Sequence, residues 1–346
     1  MQAKSWSMLV AVLITCAIAL LDAWTGSHAI LLGLLIAGPL LAAASLDAPR
    51  TAIVGLCALG LAVLLGIPDG IFGTTDHLLR CLGVATAGAL GVFIAHRRAG
   101  QEQALVRITR IAEVAQRTIL RPVPPRMGRV GLAVRYLSAS EDALVGGDFY
   151  DVAVTRYGLR VLVGDVKGKG LEAVQLAALV LASFRTAAAA HPSLVELAAE
   201  LDHSIRFQVG EEDFVTAVLA QFGRRGQLQL VNCGHPPPLR FGSASAELLA
   251  NGEPTTPLGL SPDPTLQQFT LASTDRLLLY TDGLIEARAP GGRQFELDGQ
   301  VQAALAASSL GAALDGLVAR LLQHAGGRLD DDLALVLAQP RMLMRG

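Results

Sequence analysis

Residues 146–170 read GGDFYDVAVTRYGLRVLVGDVKGKG, and the reading of this stretch decides the fold. Apolar and β-branched residues fill 149–154 and 159–164, and residues 155–158 between them have turn character, so the stretch predicts two neighbouring strands joined by a short turn. Asp148 follows Gly146-Gly147 at the start of the first strand. Asp165 follows Gly164 at the end of the second, ahead of Gly168 and Gly170. An Asp beside a Gly is by itself a common turn pairing.

Working outward, the same pattern recurs. Strands are predicted over 130–136, 214–222, 228–232, 276–280 and 333–338, and helices over 171–190, 193–209 and 298–324. Strands arrive in neighbouring pairs joined by turn residues, as at 223–226, which predicts antiparallel meanders covered by helices, an α+β class without alternating β-α units. Two more acids sit in the context of Asp148 and Asp165. Asp282 lies in Tyr280-Thr281-Asp282-Gly283, and Asp330-Asp331-Asp332 precedes Leu333-Ala334-Leu335-Val336-Leu337.

Carboxylates at strand ends beside glycines can converge at one edge of a sheet. Several of them together repel and need a compensating cation. Oxygen-only ligands suit Mg²⁺ or Mn²⁺ and not Zn²⁺, for which the chain offers no His/Cys cluster. Two such ions about 3.5–4 Å apart can activate a water and stabilise the phosphoryl oxygens of an in-line displacement.

The first third of the chain is different in kind. Of the 58 charged residues in 346, only seven fall in residues 1–96: Lys4, Asp22, Asp47, Arg50, Asp69, Asp76 and Arg80. Four apolar runs, 7–24, 29–46, 52–67 and 78–95, approach the roughly 17–20 residues a membrane-spanning helix needs, the third being the shortest. Three runs follow the first, so it is read as a spanning helix and not as a secretory signal. Lys4, Arg50 and His96-Arg97-Arg98 alternate with connections holding Asp22, Asp69 and Asp76, which places both ends of this unit in the cytoplasm. No charge lies deep within a run, which argues against a transport path; the unit is an anchor or a sensor. A wholly soluble protein is excluded. The net charge of −2 argues against a nucleic-acid binder. Cys16, Cys57 and Cys81 sit in apolar runs and Cys233 stands alone, so the chain is no disulfide scaffold.

Between these parts, residues 98–120 turn polar and helical. Leu105, Ile108, Ala112, Ala115 and Ile119 recur at spacings of 3 and 4, either as an amphipathic helix on its own domain or as a short dimerising seam. The prolines at 122, 124 and 125 end it. The expected organisation is a membrane domain of about four helices at 1–96, a connector helix at 97–120 and a cytoplasmic domain at 121–340.

The ordered set Gly-Gly-Asp-Phe-Tyr-Asp, Gly-Asp-Val-x-Gly-x-Gly, Thr-Asp-Gly and Asp-Asp-x-Ala resembles the SpoIIE/RsbU-type branch of the metal-dependent (PPM, protein phosphatase 2C-like) serine/threonine phosphatases. The resemblance runs from about Leu120 to Gln339. It implies a β-sandwich of two antiparallel sheets flanked by helices, with a site for two Mn²⁺ or Mg²⁺ ions at one end of the sheets. Carried over by position, Asp148 bridges the two ions, Asp165 binds one with the Val166 carbonyl beside it, and Asp282 and Asp331 complete the set. Asp331 is chosen among Asp330, Asp331 and Asp332 because it opens the Asp-Asp-x-Ala pattern. Asp151 matches the second acid of the first motif without an assigned role. Lys169 stands where many members have His. His235, in Asn232-Cys233-Gly234-His235-Pro236, is read as loop support. The implied activity is hydrolysis of a phosphoserine or phosphothreonine protein through metal-activated water, with a STAS-type anti-sigma-factor antagonist as the substrate, so that the protein regulates gene expression from the cell membrane.

Other readings fail on residues. Leu162-Val163-Gly164 with Gly168-Lys169-Gly170 imitates a dinucleotide turn, but no ribose-binding acid stands about 20 residues on, where the chain reads Leu181-Ala182-Ser183-Phe184-Arg185-Thr186. A P-loop needs four residues between Gly164 and the Gly-Lys pair and a Ser or Thr at Gly170. A diguanylate cyclase needs a second acid at Phe149, and that reading leaves Asp165, Asp282 and Asp331 unexplained. A membrane-tethered pseudo-phosphatase that only binds phosphoprotein predicts a missing metal acid.

Overall fold

The computed structural model describes residues 2–25, 32–138, 146–208, 210, 213–242, 246–250 and 255–341. The chain divides into two compact units, Met1–Arg107 and Ile108–Gly346, with the division inside the expected connector.

The first unit is helical: α1 (Gln2–Thr25), a 3₁₀ turn Leu32–Ile36, α2 (Ala37–Ser45), α3 (Ala48–Leu65) and the first part of α4 (Thr75–Ile119). Three stretches are long and apolar enough to cross a membrane, Trp6–Thr25, Ala48–Leu65 and Thr75–Gln116. The run expected over 29–46 is a shorter apolar helix, Gly33–Ser45, and its residues 29–31 lie outside the described residues. Pro39 fits only the first turn of an α-helix, which fixes the start of α2 at Ala37. Asp47 caps α3 by accepting from the Arg50 N–H. A Cβ on Gly55 would lie 3.4 Å from the Gly88 Cα, so α3 and α4 approach closely at paired glycines, a packing that small residues allow between apolar helices. Trp6, Leu20, Leu56 and Leu82 remain exposed.

The second unit is built on two sheets. One has the order β1-β2-β11-β10-β7-β8: β1 (Arg126–Met127), β2 (Val130–Leu137), β7 (Leu239–Phe241), β8 (Ala246–Leu248), β10 (Arg276–Tyr280) and β11 (Leu333–Pro340). The other has the order β3-β4-β5-β6-β9: β3 (Phe149–Thr155), β4 (Gly158–Val166), β5 (Val215–Phe222), β6 (Gln227–Cys233) and β9 (Gln267–Thr270). Every ladder is antiparallel. The predicted pair at 149–164 closes as β3–β4, with Phe149 opposite Gly164 and Thr155 opposite Gly158.

Strand periodicity assigns the faces. On β11, Ala334, Val336 and Ala338 join the core between the sheets, while Leu333, Leu335 and Leu337 pack under α7 (Gly299–Leu305) and α8 (Leu310–His324). On the other side α5 (Leu171–Ala187) and α6 (Leu194–Ile205) cover β3–β6. Both faces of the central strands are buried, which is why Val161-Leu162-Val163 reads as an unbroken apolar run.

Three expectations change. The helix expected over 298–324 is two helices, because Ser309 accepts from the Ala312 N–H and starts α8 anew. The helix expected over 193–209 ends at Ile205, and residue 209 lies outside the described residues. The fourth apolar run and the connector are one helix, α4. Its Ala112, Ala115 and Ile119 pack with Val174 of α5, while Leu105 and Ile108 are exposed.

Candidate metal centre

Strand pairing brings the acids together. Asp148 immediately precedes β3, Asp165 is the penultimate residue of β4, and Asp282 begins the turn after β10. These three carboxylates, drawn from both sheets, each offer an oxygen within 4.8 Å of the others. Gly147 makes the approach possible: a Cβ there would lie 2.6 Å from the Val166 carbonyl oxygen. The Val166 carbonyl therefore faces the Gly146–Asp148 loop. Gly283 is equally constrained, since its Cβ would meet the Asp332 carbonyl at 2.0 Å.

Asp331 stands beside the three and outside their cluster. Its Oδ1 lies 3.2 Å from the Lys169 ammonium and accepts from the Asp332 N–H. Its charge is nonetheless felt at Asp165 and Asp282. Asp330 is exposed, and Asp332 is buried in another role. The Asp332 Oδ2 accepts from the Tyr136 hydroxyl at 2.5 Å and from the Gly146 N–H at 3.1 Å, tying the glycine loop to the start of β11.

The electrostatics ask for a cation. Burial, then the Asp165 charge, holds the Asp148 carboxyl well above the usual carboxylate range. Burial and Asp282 push Asp165 up to about 7. Burial, then Glu286 and Asp331, raises Asp282. Asp148 receives a hydrogen bond from the Thr281 hydroxyl at 2.6 Å, which offsets only part of this cost. A hard divalent ion with oxygen ligands fits such a donor set.

The remaining motif residues are placed as follows. Asp151 points away from the cluster: its Oδ2 lies 2.5 Å from the Arg185 Nε, and Arg185 donates to the Ile119 carbonyl at the end of α4. His235 is buried, with Nε2 3.0 Å from the Tyr280 carbonyl and Nδ1 2.9 Å from the Thr216 hydroxyl. Burial lowers it to about 3, so it is a neutral link between the sheets, one residue from Thr281.

Sequence reasoning passed over Thr281, Tyr136 and Gln116. Gln116, buried on α4, donates to the Gly146 carbonyl at 3.0 Å and the Asp148 carbonyl at 3.3 Å. Thr281 could have been found from its place inside the Thr-Asp-Gly motif. Nothing in the local sequence marks the other two.

Comparison with known proteins agrees with this geometry. Residues 155–341 match the family described as Stage II sporulation protein E (SpoIIE). The phosphoserine phosphatase RsbU of Bacillus subtilis (strain 168) is 21% identical over 235 residues, covering 65% of this chain and 67% of RsbU. The structure of the RsbU and RsbW domains of Rv1364c from Mycobacterium tuberculosis is 28% identical with a TM-score of 0.52, covering 62% of this chain and 61% of that one. The catalytic domain of the serine/threonine protein phosphatase PstP, in complex with two manganese ions, is 18% identical with a TM-score of 0.50, covering 62% of this chain and 99% of that one. With more than half of its residues matched and the four motifs assembled on two antiparallel sheets, the chain belongs to the SpoIIE family, and its second unit is a PPM-type serine/threonine protein phosphatase domain.

Proposed function

We propose that the chain is a membrane-anchored phosphatase that removes phosphate from a phosphoserine or phosphothreonine protein. The observation that carries this reading is the convergence of Asp148, Asp165 and Asp282 from both sheets onto one point. Asp148, Asp165, Asp282, Asp331 and the Val166 carbonyl would hold two divalent ions, Mn²⁺ or Mg²⁺. When bound, such a pair supplies an activated water and neutralises charge on the phosphoryl oxygens. The protein's own part is positioning. Thr281 holds the Asp148 carboxylate by a hydrogen bond to its Oδ2. Asp332, Tyr136 and Gln116 fix the Gly146–Asp148 loop from behind. Lys169 neutralises Asp331 at the rim.

The domain organisation we propose is a membrane domain at 1–96, a connector at 97–120 and a cytoplasmic phosphatase domain at 121–340. Three apolar helices and the placement of Lys4, Arg50, Arg97 and Arg98 support it. Exposed Leu105, Ile108, Ile111 and Val114 support a homodimer through the connector helix. The activity of RsbU as a phosphoserine phosphatase supports a phosphoprotein substrate. Its assignment as a STAS-type anti-sigma-factor antagonist rests on family analogy.

The test is phosphate release from a phosphoserine protein by the full chain in detergent, with and without Mn²⁺, beside Asp148→Ala and Asp331→Ala. Metal-dependent release that both substitutions abolish is expected. A folded protein that binds phosphoprotein but releases nothing with Mn²⁺ would be a pseudo-phosphatase.

A further inference from the structure

At the end of the sandwich away from the acids, a cavity of about 370 Å³ opens between the β1–β2 turn, the β5–β6 turn and the end of β11. The eight residues of β11, at about 3.3 Å each, put it roughly 25 Å from the acidic cluster. Arg129, Arg225 and Arg341 line it, from three separate segments, and its floor includes buried Val130, Phe222 and Leu271. No Asp or Glu lines it. None of the three guanidinium groups has a hydrogen-bond or ion-pair partner among the described residues. Arg225 adopts φ 58°, ψ 32°, a left-handed conformation that a residue with a Cβ rarely takes and that strained functional positions often show.

We propose that this pocket is a binding site for a phosphate-bearing group. Arg129, Arg225 and Arg341 are exposed around one cavity that no acid lines, and their like charges repel one another. A dianion removes the repulsion, and guanidinium forks match phosphate oxygens in pairs. The apolar floor accommodates an organic body attached to the phosphate, and the volume falls in the range of small-ligand pockets. Phosphate chemistry has two sources here, a free phosphate compound or the headgroup of an anionic lipid. The distance from the acidic cluster separates the pocket from the phosphate that is hydrolysed.

The test uses the full chain, metal-free, with hydrogen exchange read over residues 128–131 and 223–227. One arm titrates inorganic phosphate into protein in detergent. The other compares nanodiscs of phosphatidylcholine with nanodiscs containing phosphatidylglycerol. Saturable protection by inorganic phosphate identifies a free compound as the source, and protection only with phosphatidylglycerol identifies the lipid. In either case the triple variant R129A/R225A/R341A weakens the effect at least ~10-fold, and the corresponding triple lysine variant weakens it less, because charge remains while the paired geometry is lost. Protection should survive Asp148→Ala. No protection in either arm, or protection that persists in the triple alanine variant, overturns the proposal.

Discussion

Thr281 is a single hydroxyl placed to govern the proposed metal site through Asp148. It donates to the Asp148 Oδ2 and accepts from the Ala334 N–H, so it locks the carboxylate to the start of β11. Thr281→Val is expected to lower Mn²⁺ affinity roughly 10-fold, in line with other partners of ligating groups, and Thr281→Ser to restore most of it, read by calorimetric titration. Asp165 makes the pH dependence explicit. Its folded value of about 7 lies above the roughly 3.9 of an unfolded Asp, so the folded metal-free protein holds the proton more tightly. Stability is then fully present below about pH 4 and declines as pH rises through about 7. The thermal midpoint of the metal-stripped protein should fall between pH 5 and pH 8, and Asp165→Asn should flatten that fall. Mn²⁺ binding needs the ionised carboxylates, so its affinity should climb across the same interval. A midpoint that rises with pH in the stripped protein would contradict the arrangement.

Helix α4 matters through its last turns. Gln116 reaches from it to two carbonyls of the loop that presents Asp148, and its side-chain oxygen, also buried, has no partner among the described residues. Gln116→Leu should cost about 1–3 kcal/mol of stability through two orphaned carbonyls and weaken metal binding as the loop loosens. Gln116→Glu, which sets another charge beside Asp332, should be worse for both. Helix α6 supplies the contrast. Its capping box joins the Ser193 hydroxyl to the Val195 N–H and the Glu196 carboxylate to the Ser193 N–H. Ser193→Ala should cost about 1 kcal/mol and leave Mn²⁺ affinity unchanged, measured on the same preparations. Coupled loss of metal binding in Ser193→Ala would mean that any destabilisation reaches the site, and that the effect of Gln116 is not specific to its contacts.

The two units differ in what their surfaces offer a solvent, and three helices of the first are long and apolar enough to cross a membrane. The apolar helices leave Leu20, Leu56 and Leu82 exposed, whereas the sandwich buries both faces of its central strands. The proposed topology predicts that, with the four native cysteines replaced, Gly73→Cys reacts with an impermeant maleimide in intact cells and Gly100→Cys reacts only after permeabilisation. Labelling of both positions from outside would invert or dismantle the topology. Metal removal should leave the N-terminal helical unit folded while the phosphatase domain loses thermal stability as pH rises towards about 7, because its ionising carboxylates repel without compensation.

Local pattern was enough to place the long elements. Strands β2 to β6, β10 and β11 are runs of alternating or continuous apolar residues, and a strand buried on both faces cannot hide in a sequence. Strands β1, β7, β8 and β9, of two to four residues, carry too few positions to show a period and exist because a neighbouring edge offers hydrogen bonds. The acids at 148, 165 and 282 were legible because each abuts a glycine that a close backbone approach requires. Distinguishing the three consecutive acids was not possible locally. Burial draws Asp332 to Tyr136 and the glycine loop and leaves Asp331 at the rim with Lys169. Gln116 and Asp332 lie 216 residues apart, and only the packing of α4 against β11 and the glycine loop makes them neighbours. Hydrophobic periodicity is a property of a segment, whereas a hydrogen bond between segments depends on how the sheets and helices stack.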